Sequence, residues 1–547
     1  MLLSTWLDRL GRGLRAGDRP RRCAPTRSCR PRLEALETRQ LLSTFTVVLA
    51  TDAGGPGGQK VTATSGDLRY CIAQADAAHS AASDTILFSP TLFATPHTIT
   101  LNKANGPLVV NDSHPLTIAG PTANTATVSG GDAVEVFDVA GGTVSISNLA
   151  IAHGNNSVGG GIYNSGTLTL TNCTLDHDQA SNSGGGLFNY LGTDTLVGCT
   201  FNHDSAVNYG GGIFTVGTLT LTNCNLSNDS CAGVGGGGLF VLPDSTTTIN
   251  STATLTNCTL SNDTSAQDGG GIFVDSFTAV TLTNCTLNND SAPAGGGVFT
   301  EGNPSTLTMA NCVISNDSGG GVYNTFATVT LANCTLANDS GSGGLVNQSG
   351  TAKVTGCTFS NDSALEGGGM QNGGTATLTD CTFSNDSATS STGGGAIWNA
   401  GGGTLTLTNC TLANNAALKG SGGGIWNAGG GTLDLTNTLV AENTAAVAGP
   451  DVFGDINVAD HDLIGDGSGM SILTNLGGNL VGTSAAPIDP RLGPLQNNGG
   501  PTQTLALLAD SPAIGHADSA KAPAADQRGI PRLDEVGETT DIGAFEF

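Results

Sequence analysis

Hydrophobic and polar residues alternate along most of this chain, and the alternation slips at one fixed place in every repeat. In "LTLTNCTL", which begins at position 168, Leu168 and Leu170 lie on one phase, whereas Cys173 and Leu175 lie on the other. Alternation with a period of two predicts β-strands that bury one side. The recurrent slip predicts a corner at the intervening Thr-Asn pair, after which the next strand faces inward again.

The repeat that carries this slip also contains a glycine triplet followed by an apolar residue. Examples are "GGGIYN" at 159, "GGGLFN" at 184, "GGGIFT" at 210, "GGGIFV" at 269, "GGGVYN" at 319 and "GGGIWN" at 422, mostly 23 to 29 residues apart. A unit of about 25 residues made of short strands and turns predicts one coil of a solenoid. Leucine-rich repeats need a different leucine frame, and propeller blades are longer. We therefore predict an all-β, single-stranded right-handed parallel β-helix, or pectin-lyase-like solenoid, with a capping segment at each end.

The repeat divides the chain into four parts. We predict a basic export-associated segment over residues 1–43, an N-terminal cap with the first coils over 44–145, regular β-helix repeats over 146–445, and the last coils with a C-terminal region over 446–547. About three strands per coil and an advance of about 4.8 Å per coil are expected. Twelve aligned coils then extend on the order of 58 Å.

Two kinds of corner are expected in each coil. The glycine triplets allow positive φ and a close approach of the backbone. Asparagine suits the other corner because it tolerates a left-handed backbone, and stacked amides can bond between coils. The predicted asparagine ladder is Asn172, Asn223, Asn257, Asn284, Asn311, Asn333 and Asn409.

Aromatic residues follow the glycine triplets and are expected to stack along one side of the solenoid. They allow two interpretations: a platform for sugar rings, or a stack that stabilises the fold beside the flexible glycines. We favour the second. The residues are Tyr163, Phe188, Phe214, Tyr323, Trp398 and Trp426.

Cysteine occupies one coil position ten times, with Leu149 before the series and Thr438 after it. These replacements indicate a buried position, and the absence of C-x-x-C argues against zinc. Neighbouring Cα atoms about 4.8 Å apart are within disulfide range, but parallel side chains give poor disulfide torsions. Free buried thiols are predicted. The ladder is Cys173, Cys199, Cys224, Cys258, Cys285, Cys312, Cys334, Cys357, Cys381 and Cys410.

An aspartate also recurs, in "NDS" and related triplets. Solvated side chains in a turn are expected, and bound Ca²⁺ is the alternative, because stacked carboxylates repel one another. His177 and His203 stack in adjacent coils, but two histidines are weak evidence for a site. We predict no catalytic, cofactor-binding or metal residue and no cofactor. The aspartates are Asp178, Asp204, Asp229, Asp263, Asp290, Asp317, Asp339, Asp362 and Asp386.

Charge restricts the function classes. The net charge is −26, yet residues 1–43 hold ten arginines against four acidic residues. The rest of the chain is acidic and would repel the phosphates of nucleic acids, which argues against nucleic-acid binding. The chain contains no run of about 18 apolar residues, so no transmembrane helix is predicted. Between Arg69 and Arg491 the only basic residues are Lys103, Lys353 and Lys419. A polysaccharide lyase needs a base beside a cation, and a hydrolase needs two carboxylates in different environments, so an enzyme is not expected.

Three segments resemble known families. The segment "RPRLEALETRQLLS" (30–43) resembles the LEPR-XLL type N-terminal segment of exported proteins of planctomycete-like bacteria. The matching residues are Leu33, Glu34, Leu36, Glu37, Arg39, Leu41, Leu42 and Ser43. The alternative is a basic amphipathic helix without a targeting role. "GDLRYCIAQADAAHSAASDTILF" (66–88) resembles the opening of bacterial surface β-helix proteins, with an expected helix that plugs the first coil. The glycine repeats look like those of polymorphic outer-membrane-protein families. Residues 489–518 and 526–547, with "NNGGPTQT", "DQRGIPR" and "DIGAFEF", resemble the choice-of-anchor Q domain.

Together these resemblances imply an exported, surface-associated β-helix protein without assigned catalysis. The leading hypothesis is a non-enzymatic surface or extracellular protein with a structural or adhesive role. The alternative is a polysaccharide-binding or polysaccharide-cleaving β-helix, either a lyase or a glycoside hydrolase. Expected partners are cell-surface or extracellular polysaccharides or other surface proteins, and the chain is expected to be monomeric.

Overall fold

The computed structural model describes residues 43–77, 83–111, 114–123, 125–244, 251–532 and 539–547. The chain divides into two units, 1–41 and 42–547. The predicted export segment lies outside the described residues except for Ser43. No helix in the described part of the chain is both long and apolar enough to cross a membrane.

The larger unit is a parallel β-helix, as the sequence predicts. Each coil contributes strands to three faces, and strands of successive coils pair in parallel and in register. In a typical coil the strands are Ile162–Asn164, Thr167–Thr171, Thr174–Asp176 and Gln179–Ser183. The first two belong to one sheet, so the coil has four short strands on three faces rather than three longer strands.

Face 1 consists of two adjoining columns of strands. The column that follows the glycine triplets contains Leu108–Val110, Phe137–Val139, Ile162–Asn164, Leu239–Val241, Ile272–Val274, Val298–Thr300, Val322–Asn324, Leu345–Asn347, Met370–Asn372, Ile397–Asn399 and Ile425–Asn427. The second column contains Thr44–Val47, Asp84–Phe88, Leu116–Ala119, Thr143–Ser147, Thr167–Thr171, Thr252–Thr256, Ala279–Thr283, Thr306–Ala310, Thr328–Ala332, Thr351–Thr355, Thr375–Thr379, Thr404–Thr408 and Thr432–Thr436. Longer strands span both columns at Leu187–Val197, Ile213–Thr222, Val452–Asp460 and Met470–Gly477.

Face 2 is a ladder of sixteen parallel strands. Twelve of them, from Ala150–Ala152 to Leu439–Ala441, correspond to the twelve coils aligned from the sequence. The strands are His97–Thr100, Ala126–Ser129, Ala150–Ala152, Thr174–Asp176, Thr200–Asn202, Asn225–Ser227, Thr259–Ser261, Thr286–Asn288, Val313–Ser315, Thr335–Ala337, Thr358–Ser360, Thr382–Ser384, Thr411–Ala413, Leu439–Ala441, Leu463–Ile464 and Leu480–Val481.

Face 3 is the shortest face and forms two five-stranded ladders. Single bridges at Ser291 and Ser318 connect the two ladders. The first contains Asn155–Val158, Gln179–Ser183, Ser205–Ala206, Ser230–Cys231 and Thr264–Ser265, and the second contains Ser340–Gly341, Ser363–Ala364, Ser387–Ala388, Ala416–Ala417 and Thr444–Ala445.

The sequence slip is a corner between faces 1 and 2. Asn172 has a φ of 51° and lies between the two strands, so that Leu170 and Cys173 both point into the interior and are buried. The Nδ2 atom of Asn257 donates to Oδ1 of Asn223 at 3.2 Å, and the next three amides repeat this bond at 3.2–3.4 Å. The predicted asparagine ladder is therefore confirmed over these coils.

The aromatic row lies outside the main core, on face 1. Stacked rings run from Tyr163 to Tyr323 with centroids 4.6–5.6 Å apart. The five phenylalanines between them are buried, and Tyr209 and neighbouring apolar residues pack against them. The rings of these five phenylalanines are covered, which agrees with the stabilising interpretation for this part of the row, whereas Trp398 and Trp426 are partly exposed. The phenylalanines are Phe188, Phe214, Phe240, Phe273 and Phe299.

The N-terminal end is closed by helix α1, Leu68–Ala77. The N–H of Tyr70 donates to Oδ1 of Asp67 at 2.8 Å and caps the helix. Leu68, Ile72 and Ala75 are buried in the main core, as predicted. Short 3₁₀ helices follow at Leu92–Ala94 and Lys103–Asn105, and the strands Lys60–Thr62 and Ser65–Gly66 form an antiparallel pair beside α1.

After the last coil, residues 489–532 and 539–547 lie along the outer side of face 2; we call them the C-terminal arm. It contains one antiparallel hairpin, Leu492–Gln496 and Thr504–Leu507. Leu507, Ile542 and Phe545 of the arm form a second apolar cluster with Leu439 and Leu463 of face 2. The arm thus buries the outward-facing first residue of several face 2 strands, such as Thr411 and Leu439, whereas the equivalent Thr174 and Thr200 are partly exposed.

Candidate functional site

The repeated aspartates, which were the main candidates for a cation site, lie inside the solenoid. All nine have side chains that are fully buried, so the expectation of solvated turn residues is wrong. The residue before each aspartate has a left-handed backbone and turns the chain, and the aspartate then points inward. This residue is His177 before Asp178, His203 before Asp204, and an asparagine such as Asn228, at φ 59°, in the later coils. The members are Asp178, Asp204, Asp229, Asp263, Asp290, Asp317, Asp339, Asp362 and Asp386; we call them the aspartate ladder.

One oxygen of each carboxyl group bonds the backbone of the preceding coil. The N–H of Asp290 donates to Oδ1 of Asp317 at 2.7 Å, and the N–H of Asp317 donates to Oδ1 of Asp339 at 2.9 Å. The same bond joins every consecutive pair, at 2.7–2.9 Å. The ladder therefore satisfies a backbone donor that each corner would otherwise leave unpaired.

The second oxygen, Oδ2, faces the third glycine of the triplet in the same coil. A Cβ added to Gly297 would lie 2.8 Å from Oδ2 of Asp317, and the neighbouring coils give 2.5–2.8 Å. Among the described residues Oδ2 of every ladder aspartate has no hydrogen-bond partner when the carboxyl group is ionised. The glycine triplet thus leaves room for a carboxyl group as well as turning the chain.

This environment favours the neutral acid. Burial raises the pKa of the ladder aspartates well above the ordinary value, and in most coils neighbouring carboxyl groups raise it further. Burial raises the pKa of Asp317 to about 8. Two later coils carry asparagine at the same position. The amide of Asn415 accepts the N–H of Asp386 at 2.9 Å and donates through Nδ2 to the carbonyl of Phe383 at 3.1 Å. A protonated aspartate has the same donor and acceptor arrangement as this amide.

The cysteine ladder has the predicted properties. All ten members are buried and free, and two further free cysteines, Cys71 and Cys231, are also buried. The thiol of Cys285 donates to the carbonyls of Leu255 and Thr283 at 3.5 and 3.4 Å. Thr438 continues the ladder, and its hydroxyl donates to the carbonyl two residues earlier at 3.1 Å. The thiols therefore act as interior packing groups.

An open groove runs along face 3 in the first half of the solenoid. It has a volume of about 640 Å³ and crosses five coils. Its polar lining comes from Asn155, Gln179, Ser205, Ser230 and Thr264, and small residues form its floor. Register pairing stacks these polar side chains on one another from coil to coil. Neutral hydroxyl and amide groups in a row can bind a hydroxyl-rich ligand, but they provide no general base.

Beside this groove, at the corner between faces 2 and 3, three histidines stack in successive coils. His153, His177 and His203 have ring centroids 5.5 and 4.8 Å apart; we call them the histidine stack. Asp176 lies 3.0 Å from Nδ1 of His177, and Asp132 lies 3.2 Å from Nδ1 of His153. The sequence analysis had identified His177 and His203 but neither His153 nor the two histidine–carboxylate pairs. This stack and its carboxylates can offer metal ligands.

A second group with possible ligand atoms contains Asp460, His461 and Asp518. Asp460 is paired with His461 at 2.8 Å and also with the ammonium group of Lys521. Lys521 in turn lies 3.8 Å from Asp518. A lysine already supplies the positive charge here, so the group joins the arm to the last coils.

The basic residues of the described chain are dispersed or engaged in ion pairs. Arg69 is buried against Asp52 at 2.8 Å, and Arg532 of the arm is buried against Asp380 at 2.6 Å. Lys353 is exposed on face 1, whereas Lys419 follows face 3 two coils later. None of these cations lies among the aspartates of the ladder, which are closed off from the surface.

The family follows from the repeat region. Residues 179–329, 237–403 and 322–481 match the family model described as right handed beta helix region, and these overlapping matches cover more than half of the chain. The chain belongs to the right-handed β-helix family. No curated protein matches this β-helix in sequence.

Three solved structures illustrate its structural neighbours. The crystal structure of pectate lyase Pel9A has 13% identity and a TM-score of 0.26, with 92% of this chain and 97% of that chain covered. A PL6 alginate lyase in complex with trisaccharide has 11% identity and a TM-score of 0.37, covering 92% and 98%. Tailspike protein 3 of bacteriophage CBA120 has 11% identity and a TM-score of 0.37, covering 73% and 62%.

Several motif residues of the C-terminal arm are docking residues in this β-helix. Gln527 of "DQRGIPR" donates through Nε2 to the carbonyl of Cys357 at 3.2 Å and accepts from the hydroxyl of Thr382 at 2.6 Å. Asn409 donates to the carbonyl of Gly543 in "DIGAFEF" at 3.3 Å. Sequence reasoning singled these motifs out but could not show that their side chains hold the arm against the coils.

Proposed function

We propose that this β-helix is a non-enzymatic exported protein of the cell surface or extracellular space, with a structural or adhesive role. The burial of the aspartate ladder is the observation that carries the proposal. The repeated acids, which are the most abundant catalytic-type groups in the coils, bond the backbone and face glycine, so they are not available to a substrate. Their nearly uniform environments also provide no pair with separated acid and base roles.

The remaining features support the same conclusion. A lyase stabilises a developing carbanion with a cation and removes a proton with a nearby base. The exposed lysines Lys353 and Lys419 lie on different faces, and Arg69 and Arg532 are buried in structural ion pairs. We further propose that the aspartate ladder binds no Ca²⁺, since Ca²⁺ takes six to eight oxygen ligands and each coil leaves one carboxyl oxygen without a bond.

Export, surface attachment and a monomeric state belong to this proposal. Export and surface attachment are supported by the LEPR-XLL-like segment and by the segment that resembles a choice-of-anchor Q domain. The acidic character of the β-helix, outside its basic first 43 residues, suits a protein exposed to solvent and to surface polysaccharides.

The test is a search for cleavage with the purified full chain. Pectin, alginate and chondroitin sulfate are incubated with the protein, with and without Ca²⁺, and unsaturated products and reducing ends are measured. No product is expected above a heat-inactivated control. Turnover that disappears when Lys353 or one ladder aspartate is replaced would overturn the proposal and establish a cleaving enzyme.

The face 3 groove favours a second candidate, the binding of a polysaccharide without cleavage. Its row of hydroxyl and amide side chains matches the hydrogen-bonding groups of a sugar chain. Ser205→Tyr places a ring in the groove, and Ser363→Tyr makes the same change in the second ladder of face 3. Affinity electrophoresis in gels containing each polysaccharide should show retardation that Ser205→Tyr reduces and Ser363→Tyr retains. Equal behaviour of both variants would exclude the groove as the binding surface.

A further inference from the structure

The corner between faces 2 and 3 changes its residue type in one part of the solenoid. In eight coils it is asparagine with φ between 58° and 66°: Asn228, Asn262, Asn289, Asn316, Asn338, Asn361, Asn385 and Asn414. In the three coils before these it is histidine, with φ between 52° and 59°. Asparagine satisfies the left-handed backbone without difficulty. The backbone therefore does not require three consecutive histidines, and their side chains call for another explanation.

The histidine stack brings ligand atoms close together on an accessible surface. One ring nitrogen each of His177 and His203 and one carboxylate oxygen of Asp176 lie within 4.8 Å of one another. An ion equidistant from three atoms at this limit is about 2.8 Å from each, whereas zinc ligands lie at about 2.0–2.2 Å. If each side chain moves about 0.7 Å toward the ion, the ligand–ion distances reach the values typical of zinc. His177 and His203 are exposed, so this movement meets little resistance.

Neighbouring residues position this ligand set. Oδ1 of Asp176 accepts from Nδ2 of Asn202 at 2.8 Å, which holds the carboxylate beside His177. On the other side of the stack, Asp132 lies 3.2 Å from Nδ1 of His153. A carboxylate that accepts the Nδ1 proton leaves the Nε2 lone pair of that ring free for a metal ion. His153 lies one coil away, with its ring centroid 5.5 Å from that of His177, so it is the next imidazole along the stack from the close set.

We propose that the histidine stack, together with Asp176, binds one divalent transition-metal ion of the zinc type. The ion takes the place of the proton between Nδ1 of His177 and Oδ2 of Asp176, His203 supplies the next ligand, and His153 or water completes a tetrahedral set. Imidazole ligands select Zn²⁺, Ni²⁺ or Cu²⁺ over Ca²⁺ and Mg²⁺. The site is independent of the aspartate ladder and of the proposed structural role.

The experiment uses the untagged full chain, with Zn²⁺ titrated by calorimetry and Co²⁺ used as an absorption reporter of tetrahedral coordination. We expect one ion per chain. His177→Asn/His203→Asn introduces the residue that eight later coils carry at this corner, so the fold should be retained, as circular dichroism can verify. The affinity of this variant should fall at least tenfold. His461→Asn, which removes the histidine of the other possible ligand group, is the matched control and should bind normally.

A variant that adds a histidine to the stack provides a second test, which does not rely on the double substitution. Asn228→His extends the histidine stack by one coil, because Asn228 follows His203 in the same ladder. It should tighten Zn²⁺ binding severalfold or add a second ion. Absence of micromolar binding to the native chain, equal affinity of the double variant, or loss of binding in His461→Asn would each overturn the proposal.

Discussion

Replacing one aspartate of the ladder by asparagine should change the pH dependence of stability in a defined direction. Asp317 is the best position, because burial raises the pKa of its carboxyl group to about 8. In the unfolded chain an aspartate titrates near 3.9. The folded protein therefore holds a proton that the unfolded chain releases between about pH 4 and pH 8. The stabilising contribution of Asp317 is complete below this window and is lost as the pH rises through it.

The slope for one such group is about 1.4 kcal/mol per pH unit. Asp317→Asn removes this slope and keeps an amide that can accept the N–H of Asp290, as Asn415 accepts that of Asp386 at 2.9 Å. The variant should equal the native protein near pH 4. Between pH 5 and pH 7 it should gain about 3 kcal/mol in free energy of unfolding relative to the native protein.

The measurement is guanidinium unfolding followed by circular dichroism at several pH values, for both proteins. Asp510→Asn is the control, because the side chain of Asp510 is 88% exposed; its curve should run parallel to the native one. Asp317→Ala should be destabilised by about 1–3 kcal/mol at low pH, since the N–H of Asp290 then loses its acceptor. Parallel curves for Asp317→Asn and the native protein would refute the protonated ladder.

Three further outcomes follow from the packing. Protein denatured without reductant should release the ten ladder cysteines as free thiols, and a mapped disulfide between neighbouring coils would contradict this. Cys285→Asp should lower the free energy of unfolding by several kcal/mol through an unpaired buried charge, whereas Cys285→Val should have a much smaller effect in the same denaturation assay. Phe273→Ala removes a ring that is 1% exposed and stacked at 4.6 and 5.1 Å; a loss of about 3–5 kcal/mol is expected, and one below 1 kcal/mol would exclude a stabilising aromatic row.

The sequence was sufficient for the features that repeat with the coil. The slip in alternation predicted the corner at Asn172, and the recurrence of cysteine predicted a buried ladder of free thiols. These predictions succeed because a solenoid converts sequence period directly into spatial stacking. The strand count per coil was less accurate, because face 1 bends between two short strands that share one sheet.

The aspartate ladder was misjudged although its signal is in the sequence. Asn172 is followed by the inward Cys173, and Asn228 is followed in the same way by Asp229, so both residues after a left-handed asparagine point inward. General expectations for charged residues overrode this parallel. The co-occurrence of the aspartate with the glycine triplet was a second signal, since the missing Cβ of the third glycine leaves room for the carboxyl group.

Other features could not be read from one sequence. The histidine stack depends on side-chain directions at a corner. Asp176 directly precedes His177 in the chain, whereas Asp132 reaches His153 from an earlier coil. The docking of the arm joins residues far apart in the chain: Thr502 donates to the carbonyl of Gly356 at 2.9 Å, and Asn437 bonds the backbone of Asp518 at 3.1 Å. No periodic signal reports such contacts.

The arm has a consequence for how this protein can change in length during evolution. In the coils that the arm does not cover, each ladder aspartate bonds the equivalent aspartate one coil away. Gain or loss of a whole coil by unequal recombination therefore rejoins matching partners. Between Gly356 and Asn437 the arm instead fixes the number of coils, because the residues through which it bonds the β-helix match only one number of coils between them. Natural variation in repeat number should therefore be concentrated before residue 356, and the section beneath the arm should keep a constant count.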